Sequence, residues 1–251
     1  MKQKRRTYSR GSDIQLIREI SLEEAFRGIE KDFRYQVLVA CEKCKGVGHD
    51  AKAGFNKCSV CDGRGEIRET RKSFFGNFEQ VKRCGECKGA GQIPKKICEV
   101  CKGAGRVRGE RSAKIEIRPG VQDGQIIKIK GAGEAGERGA EGGDLYAVVR
   151  IKPHPVFERR GDDLVISKEI KITDLLLENK LEIPSLSGNK IKAEIPAGWD
   201  LRDDLRIAGE GMPKFGSFGR GNLIIRLKVK APKKVSAKAK KILGEIEKEL
   251  E

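Results

Sequence analysis

Cys41-Glu42-Lys43-Cys44-Lys45-Gly46-Val47-Gly48 decides how this chain folds, because its pattern returns three more times: Cys58-x-x-Cys61-x-Gly63-x-Gly65, Cys84-x-x-Cys87-x-Gly89-x-Gly91 and Cys98-x-x-Cys101-x-Gly103-x-Gly105. Two residues between thiols let a tight turn aim both sulfurs at one tetrahedral ion. The glycines that follow let the backbone reverse beside the metal, where a Cβ would collide. One such pair is a weak signal; four with identical glycine spacing are a strong one, and together they supply two sites of four thiolates. All-cysteine sites are closed, so the expected cofactor is structural zinc, two Zn(2+) per chain, and not a catalytic ion with an open position. His49, just after Gly48, is expected to stand by, since the thiolates already fill every ligand position.

The spacing also suggests which pairs share an ion. Glu66 to Arg83, with Gly76-Asn77 in the middle, reads as a hairpin that returns Cys84 and Cys87 to the side of Cys58 and Cys61. The first and fourth pairs then close the base of the module. The expected ligand sets are Cys41, Cys44, Cys98 and Cys101 for one zinc, and Cys58, Cys61, Cys84 and Cys87 for the other.

Outside the cysteines the chain repeats itself. Ile117-Arg118-Pro119-Gly120 matches Ile195-Pro196-Ala197-Gly198 at an offset of 78, which also pairs Ile129 with Ile207, Gly133 with Gly211, Gly143 with Gly221 and Leu145 with Leu223. Upstream, Asp13, Glu19 and Ile20 match Asp163, Glu169 and Ile170 at an offset of 150. The first copy therefore carries 150 − 78 = 72 extra residues, close to the 65 that span Cys41 to Gly105. The cysteine module is an insertion into the first of two related domains. In the second copy the same place holds only a short turn at Ser187-Gly188-Asn189 between two strands.

Alternation at Phe33, Tyr35 and Val37, and at Ile115 and Ile117, predicts half-buried strands. Ser21-Leu22-Glu23-Glu24 predicts a helix start with a capping box, and Thr173-Asp174-Leu175-Leu176 its weaker counterpart. The expected fold is mainly β: two related β-sandwich-like domains, an extended zinc-binding module inserted in the first, and a short C-terminal helix. The expected limits are a basic flexible segment 1–12, β-domain I at 13–40 plus 106–157, the cysteine-rich module at 41–105, β-domain II at 158–232, and a helix at 233–251. That helix carries an apolar stripe whose Ile242, Leu243, Ile246 and Leu250 are expected to pair with a second chain, giving a homodimer.

Composition narrows the function classes. No apolar run approaches membrane-spanning length, and the basic start Met1-Lys2-Gln3-Lys4-Arg5-Arg6 has no apolar stretch after it, so neither a membrane partner nor a secretory leader is expected. A cytoplasmic, reducing location favours metal over disulfides. The net charge of +16 invites a nucleic-acid reading, but the basic residues are spread from end to end and only 13 aromatics are available for stacking. A zinc-ribbon nucleic-acid binder, and a secondary thiol–disulfide exchange activity, stand as the alternatives; neither accounts for the duplicated β-domains. No catalytic residues are expected.

Taken in order, the four cysteine repeats, Ser21-Leu22-Glu23-Glu24-Ala25, Pro119-Gly120-Val121-x-Asp123-Gly124, Gly142-Gly143-Asp144-Leu145-Tyr146 and His154-Pro155-x-Phe157 resemble the C-terminal part of a DnaJ-type (class A Hsp40) co-chaperone, from about Gly11 to the end. The resemblance implies pairing of repeat one with four and two with three, in agreement with the hairpin. It also implies capture of non-native polypeptides in β-domain I, in a groove whose positions match Ile14, Phe33, Tyr35, Ala113 and Phe157. Strand addition would supply affinity and a side-chain pocket preference. Handover to an Hsp70 (DnaK-type) chaperone is implied as well. The J domain's His-Pro-Asp is absent, since His154-Pro155 is followed by Val156, so stimulation of ATP hydrolysis is not expected.

Overall fold

The computed structural model describes residues 8–73 and 76–247. In chain order its elements are β1 (Ile14–Ile20), α1 (Leu22–Arg27), β2 (Ile29–Ala40), β3 (Phe55–Lys57), β4 (Glu66–Ser73), β5 (Gly76–Arg83), β6 (Gln92–Pro94), β7 (Arg106–Ile117), β8 (Ile126–Ile129), β9 (Leu145–Ile151), β10 (Glu158–Arg160), β11 (Asp163–Lys171), α2 (Ile172–Leu176), β12 (Leu181–Pro184), β13 (Lys190–Ala193), β14 (Leu205–Ile207), β15 (Leu223–Lys230) and α3 (Ala237–Ile246). The chain is mainly β, as its patterning predicts. Among the described residues no helix is long and apolar enough to cross a membrane.

The duplication is visible strand by strand. Sheet order β1-β9-β8 in the first copy corresponds to β11-β15-β14 in the second, and the ribbon β2-β7 corresponds to β12-β13. Single hydrogen bonds repeat at the same offsets. The Asp13 carboxylate accepts from the Asp144 N–H at 2.7 Å, and that of Asp163 from the Asn222 N–H at 2.6 Å. Gly133 N–H donates to the Gly143 carbonyl, and Gly211 N–H to the Gly221 carbonyl, both at 2.9 Å. The matched glycines are required by close approach: a Cβ on Gly143 would strike the Ser12 carbonyl, and one on Gly221 that of Asp162.

The copies differ at one edge. In the second, β10 lies against the outer side of β11, pairing Glu158–Arg160 with Asp163–Val165. Among the described residues no strand occupies the equivalent place beside β1, which ends its sheet.

Two compact units divide the chain, and they do not follow the limits expected from the repeat. One comprises residues through Arg18, Glu30–Glu116 and Gly124–Val149; the other comprises Glu19–Ile29, Ile117–Asp123 and everything from Arg150 on. The sequence assigns α1 to the first β-domain, but the structure groups it with the second copy. The reason is packing: Leu22, Ala25 and Phe26 are buried there, the Gly120 N–H donates to the Ala25 carbonyl at 2.9 Å, and the Arg220 guanidinium sits 4.8 Å from the Phe26 ring centre. The capping box forms as predicted, with Ser21 Oγ accepting from the Glu24 N–H and the Glu24 carboxylate from the Ser21 N–H. Its counterpart begins earlier than predicted, at Lys171, whose N–H donates to the Asp174 carboxylate.

In the first unit, Tyr35, Val37, Ala113, Ala132 and Leu145 form a core, with Ile14, Leu16, Val39 and Ile129 packed against it. Asp144 locks the neighbouring turn, accepting from the Gly131 N–H at 2.8 Å and pairing with Lys128 at 2.9 Å and Arg10 at 3.1 Å. In the described part of the segment 1–12, the Gly11 N–H donates to the Glu141 carbonyl and the Ser9 carbonyl accepts from the Glu137 N–H. Gly11 lies so close to Glu134 that a side chain there would collide with its carbonyl.

Candidate metal centres and an open sheet edge

The cysteine module grows directly out of the β2-β7 ribbon. Each strand is twelve residues long and ends against a cysteine turn, with the Cys41 N–H donating to the Gly105 carbonyl at 2.9 Å. From there the arm is built by pairing repeat one with four and repeat two with three. Cys98 N–H donates to Gly48 carbonyl, Cys58 N–H to Gly91 carbonyl and Cys84 N–H to Gly65 carbonyl, at 2.9–3.1 Å. Strands β4 and β5 form the hairpin, in register from Glu66↔Arg83 to Ser73↔Gly76. Gly76-Asn77, expected in the middle, opens β5 instead, and residues 74–75 between the strands lie outside the described residues.

The glycines let the paired repeats approach closely. The second glycine of one repeat presses on the first glycine of the other: Gly48 on Gly103, Gly105 on Gly46, Gly65 on Gly89, Gly91 on Gly63. Each of these second glycines also has φ between +73° and +83°, the left-handed region that disfavours a Cβ.

The geometry brings the sulfurs together in two sets of four, Cys41, Cys44, Cys98 and Cys101, and Cys58, Cys61, Cys84 and Cys87, all within 4.8 Å of one another inside each set. Across the paired repeats, Sγ···Sγ separations are 3.9 Å for Cys41–Cys98, 3.7 Å for Cys44–Cys101, 3.8 Å for Cys58–Cys84 and 3.6 Å for Cys61–Cys87. A tetrahedron with metal–sulfur bonds of about 2.3 Å has edges of about 3.8 Å, so the donor sets fit a four-coordinate thiophilic ion. The separations are far from a disulfide's roughly 2 Å bond. The N–H groups of Gly48, Gly65, Gly91 and Gly105 each point at a cysteine sulfur at 3.2–3.3 Å, a donor that offsets thiolate charge.

Electrostatics differ among the sulfurs. Burial pushes the Cys44 and Cys61 thiols up to about 11, whereas backbone N–H groups of Cys101 and Val100 help bring Cys98 down to about 7. Any metal entering must displace protons from thiols, so acid opposes its binding. His49 is not among the grouped ligands; its Nδ1 lies 3.0 Å from the Val47 carbonyl and its ring packs edge-on against Phe55.

The residues matched to a peptide groove are only partly brought together. Ile14, Tyr35 and Ala113 meet in the core of the first unit, where the Tyr35 hydroxyl donates to the Ala132 carbonyl at 2.7 Å. Phe33 lies half-buried on the same face of β2, with the Arg18 guanidinium 4.8 Å over its ring. Arg18 Nε is buried and has no hydrogen-bond partner among the described residues. Phe157 belongs to the other unit, buried beside His154, whose Nδ1 accepts its N–H at 2.9 Å.

Sequence reasoning missed the open edge of β1. The Ile14 N–H donates to the Asp144 carbonyl and the Ile20 carbonyl accepts from the Lys152 N–H, so the even-numbered residues face β9. In a parallel pairing the backbone groups of alternate residues point to opposite sides, which leaves those of Gln15 and Ile17 facing outward. The counterpart of Gln15, Val165, lies in the stretch of β11 that pairs with β10, and that of Ile17, Ser167, lies just beyond it. At the offset of 150 the segment Glu158–Arg160 falls on Tyr8–Arg10, and Arg160-Gly161 matches Arg10-Gly11, so no mismatch in the sequence marks the open edge.

Two centres of four cysteines, on a glycine-paired arm that issues from the first of two matched β-copies, define a distinct class of protein. The chain belongs to the DnaJ C terminal domain family, whose model matches residues 14–232. Chaperone protein DnaJ 1 of Corynebacterium diphtheriae is 37% identical over 236 residues, covering 94% of this chain and 63% of that one. Chaperone protein DnaJ of Ruminiclostridium cellulolyticum is 38% identical over 241 residues, covering 96% and 63%. That of Methanothermobacter thermautotrophicus is 36% identical over 236 residues, covering 94% and 62%. The chain thus spans somewhat less than two thirds of these relatives.

Proposed function

We propose that this chain is the polypeptide-binding part of a co-chaperone: it holds non-native chains by adding them as a strand to the open edge of β1, limits their aggregation and passes them to a DnaK-type Hsp70. The observation that carries this reading is the difference between the two copies, since among the described residues β11 is covered by β10 and β1 by no strand. An extended peptide there would satisfy the outward N–H and C=O groups of Gln15 and Ile17. Its side chains would lie along Ile14 and Phe33, with Tyr35 and Ala113 beneath as floor and the unpartnered Arg18 Nε–H as a donor for a carbonyl.

The two cysteine centres hold zinc in this proposal, as structural ions. Zinc supplies on the order of 10 kcal/mol per site to folding, which holds an arm rich in glycine and poor in core. The arm aids transfer to Hsp70. All the cysteine sulfurs are buried, which opposes the alternative thiol-exchange role. The proposed setting is the cytoplasm, where thiols stay reduced, and the proposed assembly is a homodimer through α3, whose Ile242, Leu243 and Ile246 are exposed; Leu250 lies outside the described residues.

The test is suppression of aggregation of an unfolded client, with and without Hsp70. The expected result is suppression by this chain alone, more refolding when Hsp70 and a J-domain source are added, and weakened holding by Phe33→Ser at unchanged metal content. Holding by Phe33→Ser equal to the parent would place the groove elsewhere.

A further inference from the structure

One residue of β1 breaks the pattern of its face. Ile14, Leu16, Arg18 and Ile20 alternate on the covered side of the strand, with Gln15, Ile17 and Glu19 exposed between them. Ile14 and Leu16 pack against the core of the first unit, so an arginine stands third in an apolar row. Its guanidinium lies 4.8 Å from the Phe33 ring centre, and its Nε is buried with no hydrogen-bond partner among the described residues. A buried donor without an acceptor costs stability, and so does a half-buried cation without a counter-charge.

The unit does not supply that counter-charge. The covered positions of the β2-β7 ribbon are apolar: Phe33, Tyr35 and Val37 on one strand, Ala113 and Ile115 on the other. The ribbon's carboxylates gather on its other face, where Glu30 pairs with Lys114, and Asp32 and Glu116 add to the field that raises the pKa of that lysine. Glu19, next to Arg18 in the chain, pairs with Lys152 at 3.5 Å. The second copy resolves the same problem internally. There Lys168 takes the place of Arg18 at the offset of 150, and its Nζ donates to the Glu182 carbonyl at 3.2 Å. The basic residue is thus satisfied in the copy whose edge is covered and left open in the copy whose edge is free.

We infer that Arg18 reads a carboxylate on the captured polypeptide, so that the groove favours apolar segments carrying Asp or Glu two residues from an apolar anchor. The spacing follows from strand geometry: side chains on one face recur at every second residue, and neighbouring strands run about 4.7–4.9 Å apart. A captured strand that seats an apolar side chain beside Leu16 places its next residue on that face beside Arg18. The guanidinium offers a planar fork of donors that matches a carboxylate, and the Phe33 ring holds the cation from its other side. A lysine at the same peptide position meets like charge, so the preference works by exclusion as well as attraction. This rests on strand capture at β1, proposed above, and names the class of segment that the edge selects.

The experiment compares two labelled peptides of one apolar sequence by fluorescence anisotropy at low salt. One carries Glu two residues to each side of a central Leu, which covers both strand directions; the other carries Gln at both places. The parent is expected to bind the Glu peptide about fivefold tighter or more, an advantage that shrinks as salt is added. Arg18→Met is expected to remove the advantage while binding the Gln peptide at least as well as the parent, with metal content and circular dichroism as checks of folding. Arg18→Gln, neutral but polar, decides the case if Arg18→Met does not fold. Equal binding of the two peptides by the parent overturns the inference and leaves strand capture standing. A Glu preference that survives in a folded neutral variant overturns it too, since the carboxylate is then read elsewhere. Parent-level binding of both peptides by Ile17→Pro removes strand capture at β1, and the inference with it.

Discussion

Gly105 has φ +77° and a partner backbone pressed against the place a Cβ would fill; Gly54 has φ +72° and open space around it. Both substitutions to alanine meet left-handed strain of about 1 kcal/mol, but only Gly105→Ala also wedges apart repeats one and four. Metal affinity at the centre of Cys41, Cys44, Cys98 and Cys101 should fall at least tenfold in Gly105→Ala and little in Gly54→Ala, measured by chelator competition. Asp144 gives a pH prediction. The Gly131 N–H, Lys128 and Arg10 hold its carboxyl down at about 2, below the ordinary value of 3.8. A depressed carboxylate stabilises the fold above its unfolded value and loses that contribution as pH falls, here between about pH 4 and about pH 2. Thermal melts of Asp144→Asn should therefore lie below the parent at neutral pH and converge with it across that window. At this scale the sequence was most legible. Cysteine and glycine are special because of valence and missing Cβ, properties that do not depend on neighbours. The groove residues were legible only as apolar strand positions, since burial of Tyr35 beneath Ile14 depends on how strands stack.

Among elements, the pairing of cysteine repeats makes a sharp prediction. Cys58→Ser should remove one equivalent of metal and spare the other, because the two sets share no ligand. Release of both would mean that the hairpin β4-β5 and the base of the arm fold as one cooperative unit. The repeat offsets paired Asp13 with Asp163, and in the structure both carboxylates accept from the matched Asp144 and Asn222 N–H groups. They did not foresee the length of β2 and β7. Arg106, Arg108, Glu110 and Arg111 lack apolar alternation, and the strand persists there because its partner continues to the Cys41 turn. Nor could periodicity show that α1 packs with the second copy, since a short amphipathic helix reads the same whichever surface covers it.

For the whole molecule, the division into two units places the cysteine arm and the open edge of β1 in one unit, and α1, the second copy and α3 in the other. The net charge of +16 follows from lysine and arginine spread along the whole sequence. Strand capture at β1 is the claim on which the functional account turns. It is tested most directly by Ile17→Pro, which removes an outward N–H while leaving the bonds from β1 to β9 in place, set beside Ile17→Thr, which keeps that N–H. Fluorescence anisotropy of a labelled, extended apolar peptide, with protein retaining its full metal content, is the measurement. The account predicts a loss of affinity of at least tenfold in Ile17→Pro and near-parent binding in Ile17→Thr. Parent-level binding by a folded Ile17→Pro chain would contradict it.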